Sequence, residues 1–208
     1  KHISYHVSNP DYDLGHAWQG GTSGWITSVA DAVNYTGLHS SIALSNGSPV
    51  IAYYDNADDV LKIVNGSSTW DGPPFSWFDE VVDPDANTGQ YTSIAEAADG
   101  SIHISYHTPG AGILKHAWGT WDSASFEWQW TTTAVSSGSS AGQYSSLALD
   151  LDENPHIAYK RANSLEHAWG TWDPVSLEWQ WSTEVIELSI GGSGGYASLV
   201  NGAGNSMH

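Results

Sequence analysis

Short runs in which apolar and polar residues alternate account for most of this chain. In Ile102-His103-Ile104-Ser105-Tyr106-His107 every second residue is large and apolar or aromatic, and His156-Ile157-Ala158-Tyr159 repeats the phase. A period of two is the signature of a β-strand, whose side chains point alternately to its two faces. Each run is bounded by turn residues, as in Ala98-Asp99-Gly100 and Asp152-Glu153-Asn154-Pro155. Asp-Gly between two apolar runs is a hairpin signal, so the predicted elements are short antiparallel strands joined by tight turns.

The strand pattern is itself repeated. Gly89-Gln90-Tyr91-Thr92-Ser93-Ile94-Ala95 and Gly142-Gln143-Tyr144-Ser145-Ser146-Leu147-Ala148 recur as Gly37-Leu38-His39-Ser40-Ser41-Ile42-Ala43 and Gly195-Tyr196-Ala197-Ser198-Leu199. Each copy predicts four strands. The third holds Leu114-Lys115-His116-Ala117-Trp118, with Leu165-Glu166-His167-Ala168-Trp169 and Leu14-Gly15-His16-Ala17-Trp18 as its repeats, and the fourth holds Glu127-Trp128-Gln129-Trp130 and Glu178-Trp179-Gln180-Trp181. Between Leu114–Thr133 and Leu165–Glu184 only six pairs differ: Lys115/Glu166, Ser123/Pro174, Ala124/Val175, Phe126/Leu177, Thr131/Ser182 and Thr133/Glu184. Copy two is divergent. It has Ile63-Val64-Asn65 in place of His-Ala-Trp but keeps Trp70-Asp71 seven residues before Trp77, a spacing that aligns Trp77 with Trp128 and Trp179. Copy one retains Trp25 in the Trp77 position.

A period of about 50 residues made of short strands is a propeller signature. The expected fold is all-β: a four-bladed β-propeller of four-stranded antiparallel blades, forming one domain over 1–208. One blade is split across the ends (196–208 with 1–36), and the others span approximately 37–88, 89–141 and 142–194. His208 falls in register with His2, His103 and His156. The C-terminal segment is therefore expected to pair with the N-terminal one and close the ring, which would remove exposed sheet edges. A longer chain with more blades, or two chains sharing a larger ring, would satisfy the same repeat.

Charge narrows the function. Five Lys and Arg stand against 23 Asp and Glu, for a net charge of −18. Nucleic acid requires a basic footprint, so it is excluded as a partner. Such an acidic surface fits an extracellular or cell-surface setting. The chain has no Cys, hence neither disulfides nor thiolate chemistry, and no apolar run long enough for membrane insertion. It opens at Lys1 inside a repeat, as expected of a processed product or a piece of something longer.

Periodic aromatic residues have two readings. Tyr5, Tyr53, Tyr106 and Tyr159 are in register and are expected in the core between blades, and His16, His116 and His167 are expected to be neutral, hydrogen-bonded structural imidazoles. The first strand of each copy presents His39, Tyr91, Tyr144 and Tyr196, with Ser41, Ser93, Ser146 and Ser198 two residues on. In a propeller these would line the central channel as a ring of aromatic groups above a ring of hydroxyls. Trp121-Asp122, Trp172-Asp173 and Trp70-Asp71 are expected in turns, with Trp130 and Trp181 near the outer edge. Indole faces stack on the C–H faces of sugars while Asp or Gln takes their hydroxyls, and several such sites would give avidity.

The acidic stretches at Asn9–Asp13, Asp55–Asp59 and Asp83–Asn87 offer oxygen ligands suited to calcium, although none has the EF-hand pattern. No other cofactor or metal is implied. The nucleophile elbow, His-Glu-x-x-His and the Gly-rich phosphate loop are missing. Tyr5-His6 and Tyr106-His107 could abstract protons, yet Tyr54 and Lys160 replace the His in the other copies.

The unit from Gly142 to Tyr159, Gly-x-Tyr-x-Ser-Leu-Ala-Leu-Asp followed by Asn-Pro-His-Ile-Ala-Tyr, resembles blades of secreted bacterial and archaeal β-propeller repeat proteins, a group that includes sugar-binding propeller lectins. The resemblance implies the fold strongly and the ligand weakly, because one scaffold hosts unrelated functions. Some polysaccharide lyases are also propellers that use Tyr and His, but they neutralise a uronate with a basic or metal-assisted site, and this chain has few basic residues. The expected function is a non-enzymatic extracellular glycan-binding module. A structural subunit that contacts neighbouring copies as a homo-oligomer, and a polysaccharide lyase, are the alternatives. Function is expected where the copies disagree: at His39, at Ile63–Asn65 and in the Trp-Asp turns.

Overall fold

The computed structural model describes residues 1–8, 12–19, 24–33, 35–67, 75–188, 196–202 and 206–207. Among them there are strands and turns and no helix. The first sheet is β1 (His2–His6), β2 (Leu14–Gln19) and β3 (Trp25–Asp31), and the second is β4 (Leu38–Ser45), β5 (Ser48–Asp55), β6 (Val60–Ser67) and β7 (Ser76–Asp83). The third is β8 (Gln90–Glu96), β9 (Ile102–Thr108), β10 (Ile113–Asp122) and β11 (Glu127–Ser137), and the fourth is β12 (Gln143–Leu149), β13 (Pro155–Arg161), β14 (Ser164–Asp173) and β15 (Glu178–Glu187). Every sheet is an antiparallel meander in chain order, as hairpin turns between neighbouring strands dictate.

The chain forms two compact units, Lys1–Gln90 and Tyr91–His208. Each packs two successive sheets around its own core. In the first unit Leu14 and Ala30 meet Ile51, Tyr53 and Val64, with Ile42 and Trp77 at the margin. In the second, Leu114 meets Leu147, Ile157, Tyr159 and Ala168, with Trp181 at the margin. These are the same positions of the repeat. Tyr53, Tyr106 and Tyr159 are fully buried, as alternation required, and two of the hydroxyls donate to carboxylates: Tyr53 to Asp31 Oδ2 (2.6 Å) and Tyr159 to Glu166 Oε2 (2.8 Å).

The Gly-x-aromatic motif has a backbone cause. Gly37, Gly89 and Gly142 have φ of 82°, 102° and 97°, and a Cβ on them would lie 2.7, 2.8 and 2.9 Å from the Cα of Leu14, Leu61 and Leu114. Only glycine fits so close to backbone in that conformation. Two residues on, His39, Tyr91 and Tyr144 are also left-handed, at 55°, 55° and 54°. A register shift follows in β4 and β12, after which Ser41 and Ser146 resume pairing with Ala52 and Ala158. The motif is a bulge that re-aims an aromatic ring at the start of the first strand.

Contacts between sheets also repeat. Ser40 Oγ donates to Ser4 Oγ (3.1 Å) in the first unit, and Ser105 and Ser145 Oγ are 2.9 Å apart in the second. Leu147 N donates to Ser93 Oγ (3.0 Å), and Leu199 N donates to Ser146 Oγ (2.9 Å). The stretch beginning at Tyr196 thus lies on β12 as β12 lies on β8, in the register of a further first strand.

Beyond Val200 a further short pair of strands follows. The first sheet has three strands among the described residues, and β16 (Asn201–Gly202) pairs with β17 (Ser206–Met207) in a local hairpin. His208 lies outside the described residues.

Candidate functional site

Strand register revises the tryptophan alignment. Trp77 pairs with Gly66, as Trp130 pairs with Gly119 and Trp181 with Gly170. Trp77 is therefore the counterpart of Trp130 and Trp181, not of Trp128 and Trp179, and the position of Trp179 is held by Phe75. The physical link is the glycine. A Cβ on Gly66 would lie 2.8 Å from the Trp77 ring and one on Gly119 2.5 Å from Trp130, so the missing side chain is the seat of the indole. Trp181 accordingly belongs to the core between sheets and not to an exposed edge, with its ring 4.9 Å from that of His116.

The Trp-Asp pairs are strand residues. Trp121 and Asp122 end β10, Trp172 and Asp173 end β14, and the turns begin after them. Both oxygens of each carboxylate serve those turns. Asp122 accepts from Ala124 N (2.9 Å) and Ser125 Oγ (3.0 Å), and Asp173 accepts from Val175 N and Ser176 Oγ (2.9 Å each). These hydrogen bonds, the backbone one foremost, hold both carboxyls below their usual range. Trp70 and Asp71 lie outside the described residues.

In the second unit a cavity of about 100 Å³ opens between the third and fourth sheets. Its walls are Trp118 of β10, Trp172 of β14 and Trp179 of β15, with Thr131, Thr132 and Thr133 of β11 along one side and Leu177 and Glu178 at the mouth. The Trp118 and Trp172 ring centroids are 4.9 Å apart, and Trp172 and Trp179 meet edge to face at 5.4 Å. A volume near that of about three liquid waters admits one edge of a small polar ligand, not a whole drug-sized molecule. Among the described residues, Trp172 is the only one of the predicted set that lines this cavity. Trp121, half-exposed, packs instead on Trp128, and Trp128 on Trp130. Trp118, Trp179 and the threonines were missed because they converge through cross-strand register and sheet packing, which no spacing along the chain encodes.

A second cluster comes from the first strands. Tyr91, Tyr144 and Tyr196 form a ladder with successive centroids 4.6 Å apart, and the Lys160 ammonium stands 5.7 Å from the Tyr144 ring centre. Burial, then the hydrogen bond to Tyr144, raises the Tyr91 hydroxyl above its usual range. His39 is the exposed counterpart in the first unit.

The structural histidines pair with one another. His2 Nδ1 meets His16 Nε2 at 3.0 Å, His103 Nδ1 meets His116 Nε2 at 3.0 Å, and His156 Nδ1 meets His167 Nε2 at 2.9 Å, each pair joining the second and third strands of its copy. Burial lowers His16 to about 4, assisted by His2, and lowers His103 to about 4 against the pull of Asp99. The second sheet has Val50 and Ile63 at these positions, so its divergence at Ile63–Asn65 removes a polar pair. The second-strand histidines His6 and His107 bond the carbonyls of Thr36 (3.0 Å) and Ala141 (2.6 Å), a linking role that leaves them unsuited as free bases.

The carboxylates of the Asp55–Asp59 loop are engaged by nearby side chains. Lys62 pairs with Asp55 and Asp58, and Tyr54 donates to Asp59 Oδ1 (2.6 Å). Asp83 accepts from Asp85 N (3.1 Å), and among the described residues no three His, Asp or Glu are grouped to hold a metal ion. Asn9–Asp11 of the remaining acidic stretch lie outside the described residues.

No protein-family model matches this chain, and no match was found among curated proteins. Among solved structures, a fucose lectin from Kordia zhangzhouensis in complex with methyl-fucoside is similar over 72% of this chain and 99% of its own, with 17% identity and a TM-score of 0.39.

Proposed function

We propose that the chain is a non-enzymatic, extracellular glycan-binding module built as a propeller, and that the cavity between the third and fourth sheets is its binding site. The observation that carries this reading is the convergence of Trp118, Trp172 and Trp179 beside threonine hydroxyls and Glu178. Indole faces take the C–H face of a sugar, while hydroxyls and a carboxylate at the rim take its OH groups. The repeated Ser93–Leu147 and Ser146–Leu199 bonds support a propeller, because the same step relates β8 to β12 and β12 to the stretch beginning at Tyr196. The surplus of acidic residues favours neutral glycans over uronates.

Titrating the protein with a panel of neutral glycans while following tryptophan fluorescence tests the proposal. Binding that disappears in Trp172→Ala is the expected result, and a silent panel would overturn it. A second reading, assembly through sheet edges, draws on β15, whose Val185 and Ile186, with Leu188 just beyond, expose apolar surface along an outer strand. Concentration-dependent light scattering that Ile186→Lys abolishes would favour it.

A further inference from the structure

The three histidine pairs differ in what stands at their ends. In the first sheet His16 Nδ1 faces Ser28 Oγ (3.5 Å), a hydroxyl that can either donate or accept. In the third sheet His116 Nδ1 is buried with no hydrogen-bond partner, opposite Thr133. In the fourth sheet the pair lies between two carboxylates. His156 Nε2 is 3.4 Å from Asp150 Oδ2, and His167 Nδ1 is 3.0 Å from Glu184 Oε1.

Counting protons separates this pair from the others. Four ring nitrogens make three contacts: to Asp150, between the rings, and to Glu184. An ionised carboxylate only accepts, so each outer contact needs an N–H from its ring, and the inner contact needs one more. Two neutral imidazoles carry two N–H groups in total. Three are required.

We propose that the chain Asp150–His156–His167–Glu184 binds one proton beyond those of two neutral imidazoles, as a shared imidazolium that clasps the outer strand β15 to β14. Of the two outer contacts the one between His167 and Glu184 is the shorter, at 3.0 Å against 3.4 Å, and the His167 ring stacks at 5.4 Å on Trp169. Asp150 comes from the turn between β12 and β13 and is fixed by Asp152 N and Asn154 N (2.9 Å each), while Glu184 comes from β15. Glu166, next to His167 on β14, points to the opposite face, where Arg161 (2.8 Å) and Tyr159 hold it. Loss of the proton leaves one of the three contacts without an N–H, so a lone pair faces a lone pair or a carboxylate and the clasp weakens.

Nitrogen–proton correlation spectra of the imidazoles in the intact chain, recorded across pH 4 to 8, test the proposal. The fourth-sheet pair is expected to show three protonated ring nitrogens at a pH where the pairs of the first and third sheets show two each. Glu184→Gln supplies an amide N–H to His167 Nδ1 and removes the need for the third proton, so the titration of that pair should move down by about one pH unit. Glu184 is more than half exposed, so this variant leaves the core untouched. Two protonated nitrogens in the native fourth-sheet pair at pH 6, or a titration unmoved by Glu184→Gln, would overturn the proposal.

Discussion

The two compact units contain the same junction made with different residues. In the first, His2 and His16 lie against Phe75 and Trp77, with ring centroids of His16 at 5.2 and 4.9 Å, and Trp18 stands 6.5 Å from Phe75. In the second, His103 and His116 lie against Trp179 and Trp181, and Trp118 stands 6.5 Å from Trp179. The aromatic framework is therefore a packing device common to both. Among the described residues the second junction differs by an indole in place of Phe75, and that indole lines the cavity together with Trp118 and Trp172. A repeated position shows what a sheet needs in order to pack, and a deviation shows where a ligand can be served.

Substitutions at equivalent positions can break this comparison. The largest effect is expected from emptying the shared core. Ile51→Ala and Ile157→Ala should each cost about 2–5 kcal/mol, read from urea unfolding, because both side chains are fully buried between sheets. A large effect in one unit alone would show that the junctions are not equivalent. Gly89→Ala and Gly142→Ala come next, at about 1–3 kcal/mol from backbone strain. Both should destabilise, since each new Cβ would press on leucine backbone.

The pH dependence is shared by the two units. Free His16 and His103 take up protons near 6.5, but in the fold they do so only near 4. Between those values the unfolded chain binds more protons, so stability is complete above about pH 6.5, falls as pH drops towards 4, and levels below it. Urea midpoints measured across that window should decline; a flat profile would show that these imidazoles are charged in the fold. The mildest change is Trp179→Phe, which recreates the first junction in the second. It should leave the urea midpoint nearly unchanged and weaken glycan binding about tenfold, equivalent to about 1.4 kcal/mol. Unaltered affinity would remove Trp179 from the site.

Strands, hairpins and the fourfold repeat were legible because each depends on near neighbours: a period of two, an Asp-Gly turn, a glycine before an aromatic residue. The buried tyrosines followed from alternation alone. Trp77 was misplaced by counting seven residues from Trp70, because an indole is located by the glycine across the strand and not by spacing along its own. The carboxylates Asp122 and Asp173 looked free in the sequence, yet each lies two residues before a backbone N–H that claims it.

The sequence by itself determined what local geometry and periodicity control: which residues form strands, and that one unit is written four times. Only the tertiary structure decided which copies of that unit meet, and hence that Trp118, Trp172 and Trp179 share a cavity and that three histidine pairs have unlike ends. Those groupings depend on side chains from strands far apart in the chain that are brought together by register and sheet packing. Near-identical repeats look alike until their neighbours are known.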